Sequence, residues 1–165
     1  MFSFLKKKAS AADVALQVLM LVEGSRQSDA EWVKSLEELG VQLDRRRVLD
    51  ELLLLRIFAG EYAICEALGQ KPERHRVLEA YYAQFARETE CPEDIRAREA
   101  IRTRTVAYTK AALTPHHIGP AWTVGCLFAE LCGKKEDLRF VVEGGMQLKL
   151  TVKFASEHVR SFRIV

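Results

Sequence analysis

Cysteine, proline and histidine are scarce in this chain of 165 residues, with four of each. The four thiols, Cys65, Cys91, Cys126 and Cys132, are too few and too far apart for a disulfide-stapled scaffold. None belongs to a Cys-x-x-Cys pair, so zinc-ribbon spacing is absent, and no Glu-x-x-His marks a di-iron bundle. Cys126 and Cys132 share one predicted helix, where about 100° per residue turns them roughly 240° apart. Both read as core thiols, and a reduced, cytoplasmic setting is the simplest expectation.

Charge of one sign is also lacking. Lys plus Arg total 25 against 23 Asp plus Glu, a formal net charge of +2, which gives no strong pull toward nucleic acid or acidic lipid. No run approaches the roughly 18 consecutive apolar residues of a membrane span. The opening Phe2, Phe4 and Leu5 precede Lys6, Lys7 and Lys8, the reverse of the signal-peptide order. Residues 1–9 are expected to form a flexible N-terminal segment, with a peripheral membrane tether as its sharper alternative. Catalytic signatures are missing too: no phosphate-binding glycine loop with its lysine, no Gly-x-Gly-x-x-Gly, no Gly-x-Ser-x-Gly elbow. Nothing points to an enzyme, no cofactor is implied, and no fixed-period repeat suggests a solenoid.

What is present is helix punctuation. Ser10 and Asp13 open a segment carrying Val14, Val18 and Val22. Ser28-Asp29-Ala30-Glu31 reads as a capping box, and Gly40 as the stop of the short helix it opens. Asp44 caps a long segment, residues 45 to 68, whose run from Val48 to Phe58 leaves almost no polar face. Such a helix is expected at the centre of a bundle or in a dimer interface. Gly60 within it, at a cost of about 1 kcal/mol relative to alanine, suggests a neighbour passing close. Val77, Leu78, Tyr81, Tyr82 and Phe85 form a helical stripe after Pro72. Further helices are predicted over residues 92–113 and 120–132.

Near the C-terminus the period changes. Residues 146–154 alternate apolar and polar, which predicts a half-buried strand, and Gly144-Gly145 before it resembles hairpin turn chemistry. The rival is a helix running through Leu138, Val141, Val142, Gly145 and Met146, weakened by its two adjacent glycines. The expected fold is therefore α+β and mainly α: about six helices around a long apolar central helix. Residues 10–165 form one domain, closed by a small C-terminal antiparallel β-hairpin or meander over about 138–165.

Candidate sites are sparse. His116 and His117 lie in a proline-bracketed connector with Trp122 close behind, where imidazoles suit ligand contact or proton transfer, although no third metal ligand can be named. With Tyr81, Tyr82 and Tyr108 they outline a tentative ligand-binding set. Arg98 and Arg102, about 40° apart on a helix, are the best nucleic-acid candidates, but Arg96 and Arg104 point elsewhere and break any phosphate-tracking stripe. The expected function is a non-catalytic cytoplasmic protein-interaction or regulatory module, with self-association into a homodimer as one form. The alternative is a helical sensor for a small molecule or metal, and the third reading is nucleic-acid binding.

Overall fold

A computed structural model describes residues 6–24, 26–85 and 92–165. In chain order these form β1 (Lys7–Ala9), α1 (Ala11–Glu23), α2 (Arg26–Glu38), α3 (Arg45–Leu68) and α4 (Glu73–Ala83). They continue through α5 (Pro92–Leu113), α6 (Pro120–Leu131), α7 (Leu138–Ser161) and β2 (Phe162–Ile164). Phe2, Phe4, Leu5 and Cys91 lie outside the described residues. No helix among the described residues is long and apolar enough to cross a membrane.

Local signals set most of the helix ends. The Asp13 amide donates to the Ser10 hydroxyl at 3.1 Å, and the Ser10 amide donates to the Asp13 carboxylate at 3.1 Å, so the capping box lies at α1. Asp44 accepts from the Arg47 amide and Asp137 from the Arg139 amide, each at 3.0 Å, opening α3 and α7. Gly40 and Gly69 take positive φ just beyond α2 and α3. The box predicted at Ser28 is not a cap, because α2 has already begun at Arg26. The Asp13 carboxyl is held below its ordinary range by the Ser10 hydroxyl, and that of Asp137 by the Arg139 side chain. Both caps are therefore at full strength above the ordinary carboxylate pKa of about 3.9. They weaken as pH falls through the lowered values.

The C-terminal hairpin is not present. Residues 138–161 are one helix, and β2 pairs in parallel with β1, Lys8 opposite Arg163, and not in an antiparallel meander. The alternation over 146–154 dissolves in this geometry: Leu148 and Thr151 are both buried, while Met146, Leu150 and Phe154 are exposed. The two glycines that favoured a turn serve a close helix crossing. A β-carbon on Gly145 would lie 2.7 Å from the Ala121 carbonyl oxygen, and one on Gly144 would lie 2.8 Å from the Phe128 ring. On the facing helix, a β-carbon on Gly125 would lie 2.1 Å from the Val141 carbonyl oxygen. Helices α6 and α7 thus pack with backbone nearly touching backbone. The entropy cost of two mid-helix glycines is offset by contacts that no larger residue permits.

Helix α3 touches every other helix. Its first half packs with α2, α5, α6 and the start of α7 through Leu52, Leu55, Phe58, Tyr108, Phe128 and Phe140. Its second half packs with α1, α4 and the end of α7 through Val18, Ile64, Val77, Tyr81 and Val159. At Gly60 both α1 and α4 come close: an added β-carbon would meet the Tyr81 hydroxyl at 2.5 Å and Val18 at 3.2 Å.

The expectation of a helix apolar on every side is corrected in one respect. It buries Glu51 and Arg56 in its most apolar stretch. Arg56, 1% exposed, donates to the Val22 carbonyl at 3.3 Å and pairs with Asp29, so one guanidinium joins α1, α2 and α3. Glu51 takes two bonds from Arg104 of α5, at 2.6 and 2.7 Å.

Two stability measurements check this packing. Gly125→Ala should lose about 2–3 kcal/mol, because the clashing atom is backbone and cannot rotate away, whereas Met146→Ala on the exposed side of α7 should stay within about 0.5 kcal/mol. Asp29→Ala, which strips Arg56 of its carboxylate in the interior, should cost about 3 kcal/mol or more. Removing the exposed Lys34–Glu38 pair should cost less than about 1 kcal/mol. Urea unfolding read by circular dichroism decides both.

Candidate functional site

The structure divides the tentative ligand-binding set. Tyr81 is fully buried, its hydroxyl donating to the Ile57 carbonyl at 3.0 Å, and desolvation pushes its phenol well above the ordinary value. Tyr108 is buried in the other half of the core, with its hydroxyl 3.5 Å from Glu51 and its phenol likewise raised by burial. Both are packing residues that anchor helices. The rings of His116 and His117 are tilted by 30° with centroids 4.4 Å apart, and His116 stacks 6.2 Å from the Trp122 ring at the entry to α6. The Nδ1 atom of His116 accepts from the Ile118 amide at 3.2 Å. One nitrogen is thereby spent on the turn. Among the described residues no group of three or more His, Cys, Asp or Glu is placed to hold a metal ion.

Tyr82 behaves differently. It is half-buried, and its hydroxyl donates to Glu61 of α3; burial, then that bond, drives its phenol far up. It lines a cavity of about 330 Å³ between α4 and α5 with Phe85, Ile101, Thr105 and Val106, and with Arg98 and Arg102, the residues considered for nucleic acid. Residues 98, 101, 102, 105 and 106 follow helical spacing, so one face of α5 supplies most of the wall. Tyrosine and arginines assigned by sequence to separate readings thus share one site.

Cys132 is closed off. Burial, followed by the Glu51 carboxylate, pushes its thiol up to about 12, so it remains a protonated core thiol.

The largest surface feature was missed from sequence because it lies in the stretch read as a strand. Leu138, Val142, Met146, Leu150 and Phe154 of α7 are 64%, 60%, 44%, 43% and 52% exposed, far more than core residues. Spaced by four, they follow one inclined ridge about 24 Å long that winds about 160° around a helix turning about 100° per residue. The buried residues of α7 are held against α3 and α6. Exposed Lys149 and Lys153 flank the ridge, and Lys153 lies 5.8 Å over the Phe154 ring. Both lysines also border a cleft of about 390 Å³ with Tyr62 of α3 and Pro120 of α6. Glu157 is the only exposed acidic residue of α7, since Glu143 is buried and bonded to Gln147. Had the helical reading been followed, the four-residue spacing of these five side chains would have found the ridge.

With this geometry established, comparison against protein-family models, curated proteins and solved structures returns no match.

A labelling experiment checks the thiol assignment. Native protein treated with iodoacetamide at pH 8 should leave Cys132 unmodified, and addition of urea should make it react. Peptide mass mapping reads the site, and modification of Cys132 in the folded chain would contradict the burial described.

Proposed function

We propose that this chain is a non-catalytic interaction module that docks an acidic amphipathic helix of a partner protein along the exposed face of α7. One observation carries the reading: five large apolar side chains stand in solvent in a single ridge on a helix whose other face is locked in the core. A contiguous exposed apolar strip of this kind marks an interaction surface far more often than a bare one. An α-helix laid across such a ridge meets it with anchors at helical spacing.

Charge selects the partner. Arg139, Lys149, Lys153 and Arg160 of α7 surround the ridge with Glu157 as that helix's one exposed acid, and exposed Glu136 lies only at its N-terminal end, so an acidic face is complementary along the lysines. Arg139 and Arg160 already pair with Asp137 and Glu66, which leaves the two lysines as the specificity-bearing charges. Self-pairing of this face is disfavoured, because it sets basic residues of one copy against those of the other. A cytoplasmic location accompanies the proposal and stands with it.

A synthetic peptide tests the reading. A labelled acidic helix with leucines every three to four residues and glutamates flanking them should bind, by fluorescence anisotropy, about tenfold tighter than a lysine-flanked peptide with the same leucines. The double variant Val142→Asp, Leu150→Asp should lose binding while its circular dichroism stays native. Equal affinity for the two peptides would overturn the proposal, as would no binding at all. Binding of anionic vesicles without peptide binding would reassign the ridge to a membrane surface, and a dimer dissolved by the double variant would reassign it to a second copy.

A further inference from the structure

We infer that the cavity between α4 and α5 binds a medium-chain alkyl carboxylate. This inference is independent of the α7 surface and rests on other residues. The wall is built from the Phe85 ring, the Tyr82 ring and the Ile101 and Val106 side chains, which offer no charge to a ligand. At about 330 Å³ the space falls at the small end of the roughly 300–1,000 Å³ typical of ligand cavities. That size suits one short flexible chain better than a fused-ring system.

The polar groups of the wall name the other end of the ligand. The Tyr82 hydroxyl is committed to Glu61, which is not itself a lining residue, and to the side chain of Thr105, which is. Among the described residues the charged lining groups are Arg98 and Arg102, both cationic and one helical turn apart on α5. Arg98 is half-buried and has an interaction of its own, so the charge needed at the mouth comes from Arg102. Arg102 is exposed at the rim. A guanidinium there takes a carboxylate through two parallel N–H bonds, a geometry that a hydroxyl or an amine cannot reproduce. An open apolar groove with a guanidinium at its rim is complementary to an alkyl chain ending in a planar anion.

Hydrophobic burial makes the chain length a ruler. Each methylene drawn into the cavity is expected to tighten binding about fourfold, until the space is full. Calorimetric titration of the full chain with hexanoate, octanoate and decanoate, each below its aggregation concentration, should show that progression. Octanol, with the same tail and no charge, should bind at least about tenfold more weakly than octanoate. Arg102→Gln should remove that preference and leave octanol unchanged; the residue is on the surface, so folding is not at stake. Octanoate should also shift the methyl NMR signals of Ile101 and Val106 before any others. Absence of binding, equal affinity for octanol and octanoate, no dependence on chain length, or methyl shifts centred elsewhere would each overturn the inference.

Discussion

The contact on which the rest of this molecule depends is the backbone-to-backbone approach of α6 and α7. Three glycines, Gly125, Gly144 and Gly145, occupy positions where a single β-carbon would strike a carbonyl oxygen or an aromatic ring. That approach fixes the rotation of α7 about its own axis. Phe140, Leu148, Ala155 and Val159 are then directed into the core, and the ridge from Leu138 to Phe154 is directed out. The exposed apolar strip is a geometric consequence of the seam. A modest rotation of α7 would bury part of the ridge, but it would also pull the glycine face off α6 and forfeit close-packed contact along it.

Interior charge adds a second constraint. Arg56 joins three helices from within the core, and Glu51 joins α3 to α5 through Arg104. Buried ion pairs of this kind add little net stability over well-packed apolar residues, yet losing one partner is costly. Their effect here is to specify which helices meet α3 and in what register. The tyrosines of the core act in the same way: Tyr81 ties α4 to the Ile57 carbonyl across Gly60, and Tyr108 meets Glu51. Tyr81 and Tyr108, whose chemistry suggested ligand contact, are occupied in holding helices together. The α7 ridge with its lysines and Arg102 are among the described groups left at the surface.

Much of this architecture is legible in the sequence, and the exceptions have identifiable causes. Ser10, Asp44, Gly40 and Gly69 punctuate helices where local chemistry alone places them, because capping depends on residues a few positions apart. The strand misreading arose because residues 146–154 satisfy a period of two by composition, while the helix they belong to is seated by Gly144 and Gly145 against Phe128 and Ala121 of α6, remote in sequence. A Gly-Gly pair is locally a turn signal and globally a close-packing signal, and only the partner helix distinguishes them. Asp29 shows the same limit. Its position beside Ser28 looked like a helix start, whereas its carboxylate belongs to an arginine 27 residues away. The convergence of Tyr82 with Arg98 and Arg102 required knowing that the end of α4 and one face of α5 border the same cavity. No period within either helix reports that.

The most direct test of the account is the accessibility profile of α7 in solution. Single nitroxide labels placed at successive positions from 140 to 156 other than the glycines 144 and 145, in a background with the native cysteines replaced, report contact with a water-soluble relaxation agent. A period of 3.6 is expected, with high accessibility at positions 142, 146, 149, 150, 153 and 154 and low accessibility at 140, 141, 148, 151 and 155. An alternation of period two over 146–154 would restore the strand and remove both the glycine seam and the ridge. A helical profile with its accessible face displaced onto positions 141, 148 and 155 would contradict the orientation on which the proposed docking surface rests.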